Sequence, residues 1–437
     1  MKGQLERRHL RSLTMLSLIL AGEAAFILPY HPGRYFKQRI LSAFALDEFQ
    51  FGQLGGVYGA VAMACYLLGG PLADRFSPRK LISFSLVATG LGGLYMSTIP
   101  SFAGLYVLFA FWGATTILAF WAPLIRATRQ WGGELEQGQA FGILDGGRGL
   151  ASALLATVAV HVVGMMVGES DSVDPVRDRI AMQTILSSYG ICCFVAAACV
   201  WFFVPDPSPV AACTAADRRT DRALALDRLA RVLRSPAVWL QAVVIIAAYS
   251  TFRMFDNYGL YSEDAFGLTT KESERLIANL SYVRVGAALV AGWVADRFLK
   301  VSPSIQLFFG LLIVAYAVFL FVPPSQGLVW LMIANMAISC AAFYGLRGIY
   351  FALLEESGTP RELTGTAVGV ICFIGFTPDV FMPVLTGWLI REARASGDVL
   401  VGYSQIFWFL IGLSLVGLLA AEALRRLTSH KRSAENP

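Results

Sequence analysis

The chain has 437 residues, 56% of them hydrophobic and only 15% charged, with a mean hydropathy of +0.60 and a net charge of +5. Soluble domains carry about a quarter of their residues as charged side chains, so this composition excludes a soluble globular protein and indicates a polytopic membrane protein. The small charge gives no reason to expect nucleic acid as a partner. No P-loop, nucleophile elbow, CxxC pair or zinc pattern is present, so neither an enzyme nor a bound metal or cofactor is expected.

About 20 apolar residues cross a bilayer as a helix. Twelve stretches reach that length: 13–32, 50–72, 80–99, 103–125, 138–166, 182–204, 236–261, 275–295, 303–322, 327–354, 364–390 and 402–424. The first follows MKGQLERRHLRS and imitates a secretory leader, but Glu23 interrupts it and further spans follow. It is therefore read as an uncleaved helix. After span two comes GGPLADRFSPRK (69–80), with Gly70, Asp74, Arg75 and Arg79. Span five opens GQAFGILDGGRGL (138–150), which sets Asp145 and Arg148 on one helix face at i,i+3.

Span six holds Cys192, Cys193 and Cys199 in an apolar run, where cysteine acts as a small hydrophobe. Residues 205–235 form the longest connection, and DRRTDRALALDRLARVLR within it reads either as a basic amphipathic helix on the headgroups or as a plain linker. Span seven holds Arg253 and Asp256 in TFRMFDNYG, again at i,i+3. Span eight carries Arg284 and is followed by Asp296 and Arg297 in AGWVADRFLKVSP. Span ten carries Arg347 between Gly345 and Gly348, and span eleven carries Asp379 in GFTPDVFMP.

Orientation follows from the basic residues. One set of alternate loops holds 22 of the 35 Lys and Arg residues and the other holds nine; the remaining four lie within spans. The inside-positive bias places both termini in the cytoplasm, with the chain in the cytoplasmic (inner) membrane. Asp74-Arg75-Phe76 recurs as Asp296-Arg297-Phe298, 222 residues on, and GQAFGI recurs as GTAVGV, 227 residues on. Two landmarks at nearly equal offsets mark a duplicated six-helix unit.

Twelve spans in two halves, with a G-x-x-x-D-R-x-x-x-R loop, resemble the major facilitator superfamily. The resemblance implies an all-α fold of two six-helix bundles related by a pseudo-two-fold axis, residues 1–204 and 236–437, with residues 205–235 as a cytoplasmic linker. It also implies a latch at Gly70, Asp74, Arg75, Arg79, Asp296 and Arg297. The D-R-x-x-P-R spacing and the passage FWAPLIRATRQWGGELEQGQAFGILDGGRG (120–149) resemble the organophosphate–phosphate antiporters within it. Arg148 stands where those antiporters have a histidine, and Arg253 stands near their seventh-helix substrate arginine. Their first-helix arginine has no match, because Tyr30 occupies its place. A phosphate dianion is gripped by two flanking guanidiniums, so the departure removes half of that grip.

Four acids (Glu23, Asp145, Asp256, Asp379) and four arginines (Arg148, Arg253, Arg284, Arg347) lie inside spans. Intramembrane ions are expensive and mark substrate and ion pathways. Arg148 is expected to bind an anionic substrate, with Asp145 as its resting partner; a private Asp145–Arg148 bridge is the other reading. Arg253 and Asp256 form part of the site or of an outer gate. Arg347 faces substrate, acts between the two halves or bridges to Glu355, while Arg284 ties helices together. Tyr30 and Trp121 line the cavity.

Glu23 is the first choice for proton coupling, Asp379 the second and Asp256 a further candidate, the other reading of Asp379 being a kink at Pro378 and Pro383. The function expected is a monomeric secondary transporter of a small organic anion, phosphorylated, sulfonated or carboxylated. It would work by alternating access, coupled to protons or to a counter-anion. A proton-coupled exporter of cationic or amphipathic compounds is the alternative, and a transporter-like sensor the weaker one.

Overall fold

The computed structural model describes residues 2–132, 137–167, 174–206, 227–294, 297, 300–356 and 363–435. Every regular element among the described residues is helical. In chain order they are α1 (Lys2–Tyr35), α2 (Lys37–Phe44), α3 (Glu48–Arg75), α4 (Pro78–Ser97), α5 (Phe102–Thr116), α6 (Ala122–Gly132), α7 (Gln137–Val167) and α8 (Pro175–Phe203). The short helix over residues 227–233 is α9. There follow α10 (Pro236–Arg253), α11 (Tyr258–Phe266), α12 (Thr270–Ser281), α13 (Val283–Val294), α14 (Val301–Phe321), α15 (Val329–Ile349), α16 (Leu353–Glu356), α17 (Thr364–Gly375), α18 (Pro378–Ala395) and α19 (Val399–Glu435).

In a bilayer every backbone N–H and C=O must be satisfied within the chain, which leaves helices as the spanning form for so apolar a sequence. Nine helical stretches among the described residues are long and apolar enough to cross. Expected spans two, three and eight are helical as well, in α3, α4 and the α12–α13 pair. Helix starts follow their local chemistry. Asp47 and Gln50 form a capping box on α3, Thr269 and Glu272 another on α12, and Asp174 accepts from Val176 and Arg177 at the start of α8.

Several expected single spans are interrupted. Span four passes through a π turn at Ile117–Trp121, span seven through a 3-10 turn at Met254–Asn257, and span ten through another at Tyr350–Ala352. Span eleven breaks after Gly375 and restarts as α18, because Pro378 lacks an N–H and is favoured at a helix's first position. Such interruptions concentrate at functional sites.

Two compact units result. One comprises Met1–Pro209, Asp256–Tyr282 and Pro383–Arg391; the other comprises Val210–Phe255, Val283–Met382 and Glu392–Pro437. In the first, α4 and α8 close on each other through small residues. A Cβ at Gly90 would lie 2.9 Å from the Gly190 carbonyl, closer than any side chain tolerates. Trp112 fills the core beside them and donates from Nε1 to Thr89 O at 3.2 Å. In the second unit α10 packs on α17 and α19, and α14 packs on α15 and α19.

Candidate functional site

Among the described residues of the first unit, polar side chains gather around Arg148, around Glu23 and around Arg39. Arg148 projects from α7 across α1, its Cζ 5.6 Å from the Phe26 ring centre and 5.7 Å from that of Trp121. Phe26 meets Trp121 edge-on at 6.0 Å, and Tyr30 stands 6.3 Å from Phe26 and 5.3 Å from Tyr58. Trp121 ends the π turn, whose extra residue re-aims the side chains at this point. A cation over aromatic faces is stabilised without losing its charge.

The glycine that admits Arg148 lies on α1. A Cβ on Gly22 would stand 2.7 Å from Arg148 Cδ, whereas one on Gly146 would meet nothing within 4 Å and one on Gly147 would strike Ile19. Gly22→Val is therefore expected to push the guanidinium off Phe26 and Trp121. An off-rotamer side chain costs about 1 kcal/mol, so ligand affinity should fall roughly fivefold to tenfold. Titration calorimetry checks this, and unchanged affinity would show that the close approach has no bearing on binding.

One step along α1, Glu23 is buried, and its Oε1 lies 2.9 Å from His31 Nε2. The same nitrogen lies 3.1 Å from Ser152 Oγ on α7. His31 is only 2% exposed and packs its ring on Tyr35 and Tyr189. His31 was not among the expected site residues. Its signal was the i,i+8 spacing from Glu23, two turns along one face, between Pro29 and Pro32.

At the end that the basic-residue count assigns to the outside, α2 is driven inward by its cations. Arg39 is buried, with Nη1 2.7 Å from Asp178 Oδ1 of α8 and Nε 2.5 Å from Glu274 Oε1 of α12. Around it Arg34 Nε meets Asp256 Oδ1 at 2.7 Å, Lys37 Nζ donates to Asn257 Oδ1 at 2.5 Å, and the Tyr35 and Ser281 hydroxyls bond at 2.8 Å. In the sequence these cations bear only on orientation. Their partners, the carboxylates of Asp178, Asp256 and Glu274 and the Asn257 amide, lie 139 to 235 residues away in the chain, beyond any periodic pattern.

The second unit gathers Arg253 at the last turn of α10 and Asp379 at the first turn of α18. Arg253 Nε stands 3.5 Å from Asp379 Oδ1, and the Tyr249 hydroxyl donates to Oδ2 at 3.1 Å. Tyr249 also touches Arg347, whose Cζ is 5.5 Å from that ring and 4.0 Å from the Phe252 ring. Side chains therefore occupy the Asp379 carboxylate, while Asp256 belongs to the outer cluster. The α-helix that carries Arg253 passes into a 3-10 turn that carries Asp256.

The remaining expected residues are placed as follows. Asp145 is exposed on α7, one turn before Arg148, and Arg284 is half-buried on α13. The Glu355 side chain lies outside the described residues, as do the surroundings of Gly70 and the side chains of Asp74 and Arg75; Asp296 lies outside them entirely. Of the expected latch, Arg79 bonds Asp206 at 2.9 Å and lies 5.2 Å over Trp201, and Arg297 is exposed. Among the described residues no group of three or more His, Cys, Asp and Glu could hold a metal.

Comparison with known proteins agrees with this architecture. Inner membrane protein YqcE of Escherichia coli (strain K12) is 27% identical over 417 residues, covering 92% of this chain and 94% of that protein. The glycerol-3-phosphate transporter of Bacillus subtilis (strain 168) is 21% identical over 410 residues, covering 87% and 88%. The crystal structure of a D-xylose-proton symporter superposes with a TM-score of 0.71 at 14% identity, covering 95% of this chain and 96% of that one. The sequence profile of the Major Facilitator Superfamily matches residues 13–378. The chain therefore belongs to the Major Facilitator Superfamily, a family of multi-pass membrane transporters.

Proposed function

We propose that the protein moves a small organic anion across the cytoplasmic membrane by alternating access, driven by protons, with both termini in the cytoplasm. The observation that carries this is Arg148. It is a guanidinium held over Phe26 and Trp121 beside a backbone cleared by Gly22, with the π turn of α5–α6 next to it. An arginine so placed offers bidentate donors to carboxylate, phosphate or sulfonate. The whole-length similarity to a glycerol-3-phosphate transporter supports the same substrate class. The absence of a first-helix arginine at Tyr30 favours a substrate with a single negative charge at its head over a phosphate dianion.

Glu23 and His31 supply the proton site. Ser152, which contacts His31, follows Arg148 by four residues on α7, so the two share a helix face about 5–6 Å apart. An anion on Arg148 offsets a proton on the Glu23–His31 pair, and each favours the other's binding reciprocally. Symport follows from that sign. In the second unit, described by itself, Asp379 lies beside Arg253 and Arg347 keeps its charge over Phe252.

Export of cationic compounds draws support from the Arg253–Asp379 pair, which neutralises one intramembrane cation. The aromatic settings of Arg148 and Arg347 favour the anion instead. A thermal-shift panel of purified protein discriminates the two, since a ligand that binds only the folded state raises the melting point. Phosphorylated, sulfonated and carboxylated solutes are expected to stabilise it, and organic cations and neutral sugars to leave it unchanged. Stabilisation by cations alone would overturn the anion reading.

The outer ion cluster acts as a gate. Removing one partner of a buried ion pair costs about 3–5 kcal/mol, and Arg39→Met leaves Asp178 and Glu274 facing each other. Amide exchange in residues 256–282 is expected to accelerate in that variant and to slow again in Arg39→Met/Glu274→Gln, which removes one of the two carboxylate charges. Exchange equal to that of the unmodified protein would show that the cluster does not hold this segment closed.

A further inference from the structure

At the other end of the first unit, a cavity of about 500 Å³ opens between the start of α1, the end of α6 and the end of α8. Its walls are Leu10, Ala127, Val204 and Pro205, with Thr14, Gln130, Arg11 and Trp131. The volume lies within the roughly 300–1,000 Å³ of small-molecule sites. None of the clusters described above touches it.

The polar side of this cavity is rigid. The Arg11 guanidinium lies 4.5 Å over the Trp131 ring and donates to the Trp131 carbonyl at 3.5 Å, while Trp131 Nε1 donates to the Arg11 carbonyl at 2.7 Å. Thr14 Oγ1 lies 2.7 Å from the Phe203 carbonyl and so pins α1 to α8 behind it. A cation clamped on an indole therefore stands at the mouth of an apolar recess. That combination matches a molecule with a negatively charged head and a hydrocarbon tail.

Topology supplies the setting. By the inside-positive orientation this end meets the inner leaflet, whose anionic lipids attract basic segments by about 1 kcal/mol for each Lys or Arg. Trp131 has the amphipathic ring found at the headgroup level. The flanking sequence adds Arg7, Arg8, Arg126 and Arg129. The chain's own linker, which leaves from Pro205, carries six arginines between residues 218 and 234, so its charge opposes entry into a basic-rimmed recess. Basic pockets between helices on the cytoplasmic side are lipid-headgroup sites in other membrane proteins.

We propose that this cavity is a binding site for one anionic phospholipid of the inner leaflet, its phosphate on Arg11 and an acyl chain between Leu10, Ala127 and Val204. The lipid fastens α1 to α6 and α8 at the membrane surface, apart from the transport site.

The test is native mass spectrometry of protein exchanged into phosphatidylglycerol or phosphatidylcholine, alongside melting curves with each lipid and with free glycerol phosphate. One phosphatidylglycerol is expected to be retained per chain, and phosphatidylcholine to be lost. Arg11→Gln should lower retention at least tenfold. Gln130→Trp, at an exposed position on the rim, should do the same without disturbing the core.

Equal retention of the two lipids, or retention unchanged in both variants, would overturn the proposal. Stabilisation of Arg148→Ala protein by free glycerol phosphate equal to that by the lipid would also overturn it, since the apolar recess would then have no part. So would a cross-link from Thr14→Cys to the 207–226 linker formed in the presence of phosphatidylglycerol, because the chain itself would fill the space.

Discussion

Glu23→Gln protein in proteoliposomes is expected to lose uphill, proton-driven accumulation of substrate while keeping substrate exchange at equal concentrations. A gradient of one pH unit supplies about 1.4 kcal/mol, enough for about tenfold accumulation in a one-to-one symport. The variant should stop at equality. The reason is geometric: the Glu23 carboxylate and His31 Nε2 lie 2.9 Å apart in a site where both side chains are almost fully buried. Glutamine keeps a hydrogen bond to the ring but gives up the exchangeable proton. His31→Gln should show the same uncoupling, and Ser152→Ala a milder version, because Ser152 only positions the ring. Accumulation at the unmodified level in both Glu23→Gln and His31→Gln would remove the pair from the coupling route and leave anion exchange as the driving reaction.

Arg148→Ala is the second large effect expected. A hydrogen bond to a charged group contributes about 1.5–3 kcal/mol, so losing a bidentate contact should weaken anion binding by about 3 kcal/mol or more, roughly a hundredfold. Arg148→Lys keeps the charge but not the planar fork or its stacking on Phe26 and Trp121, and should recover only part of the loss. Folding should be little affected, since the side chain is half-exposed and Gly22 leaves space around it. The readout is ligand-induced melting shift for the unmodified protein and both variants. An anion that stabilises Arg148→Ala as well as it stabilises the unmodified protein binds elsewhere.

The sequence by itself determined the fold and the family. Twelve apolar stretches, the bias of the basic residues and the repeat of Asp74-Arg75-Phe76 at Asp296-Arg297-Phe298 are properties of the chain read in order. A bilayer permits few answers to such a pattern, because backbone groups must be satisfied inside each span. Arg148 was legible for the same reason: an ion in an apolar run is conspicuous, whatever it touches.

Only the tertiary structure decided who meets whom. Arg39 looked like one of nine loop cations, yet it is buried between Asp178 and Glu274. Asp256, on a 3-10 turn, pairs with Arg34, 222 residues away in the chain. His31 stands beside prolines at the end of the apolar stretch 13–32, but α1 continues past it to Tyr35 and its ring meets Glu23. Charge pairing in a protein depends on distance through space, falling off over a few ångströms. Sequence spacing carries that distance only within one unbroken helix.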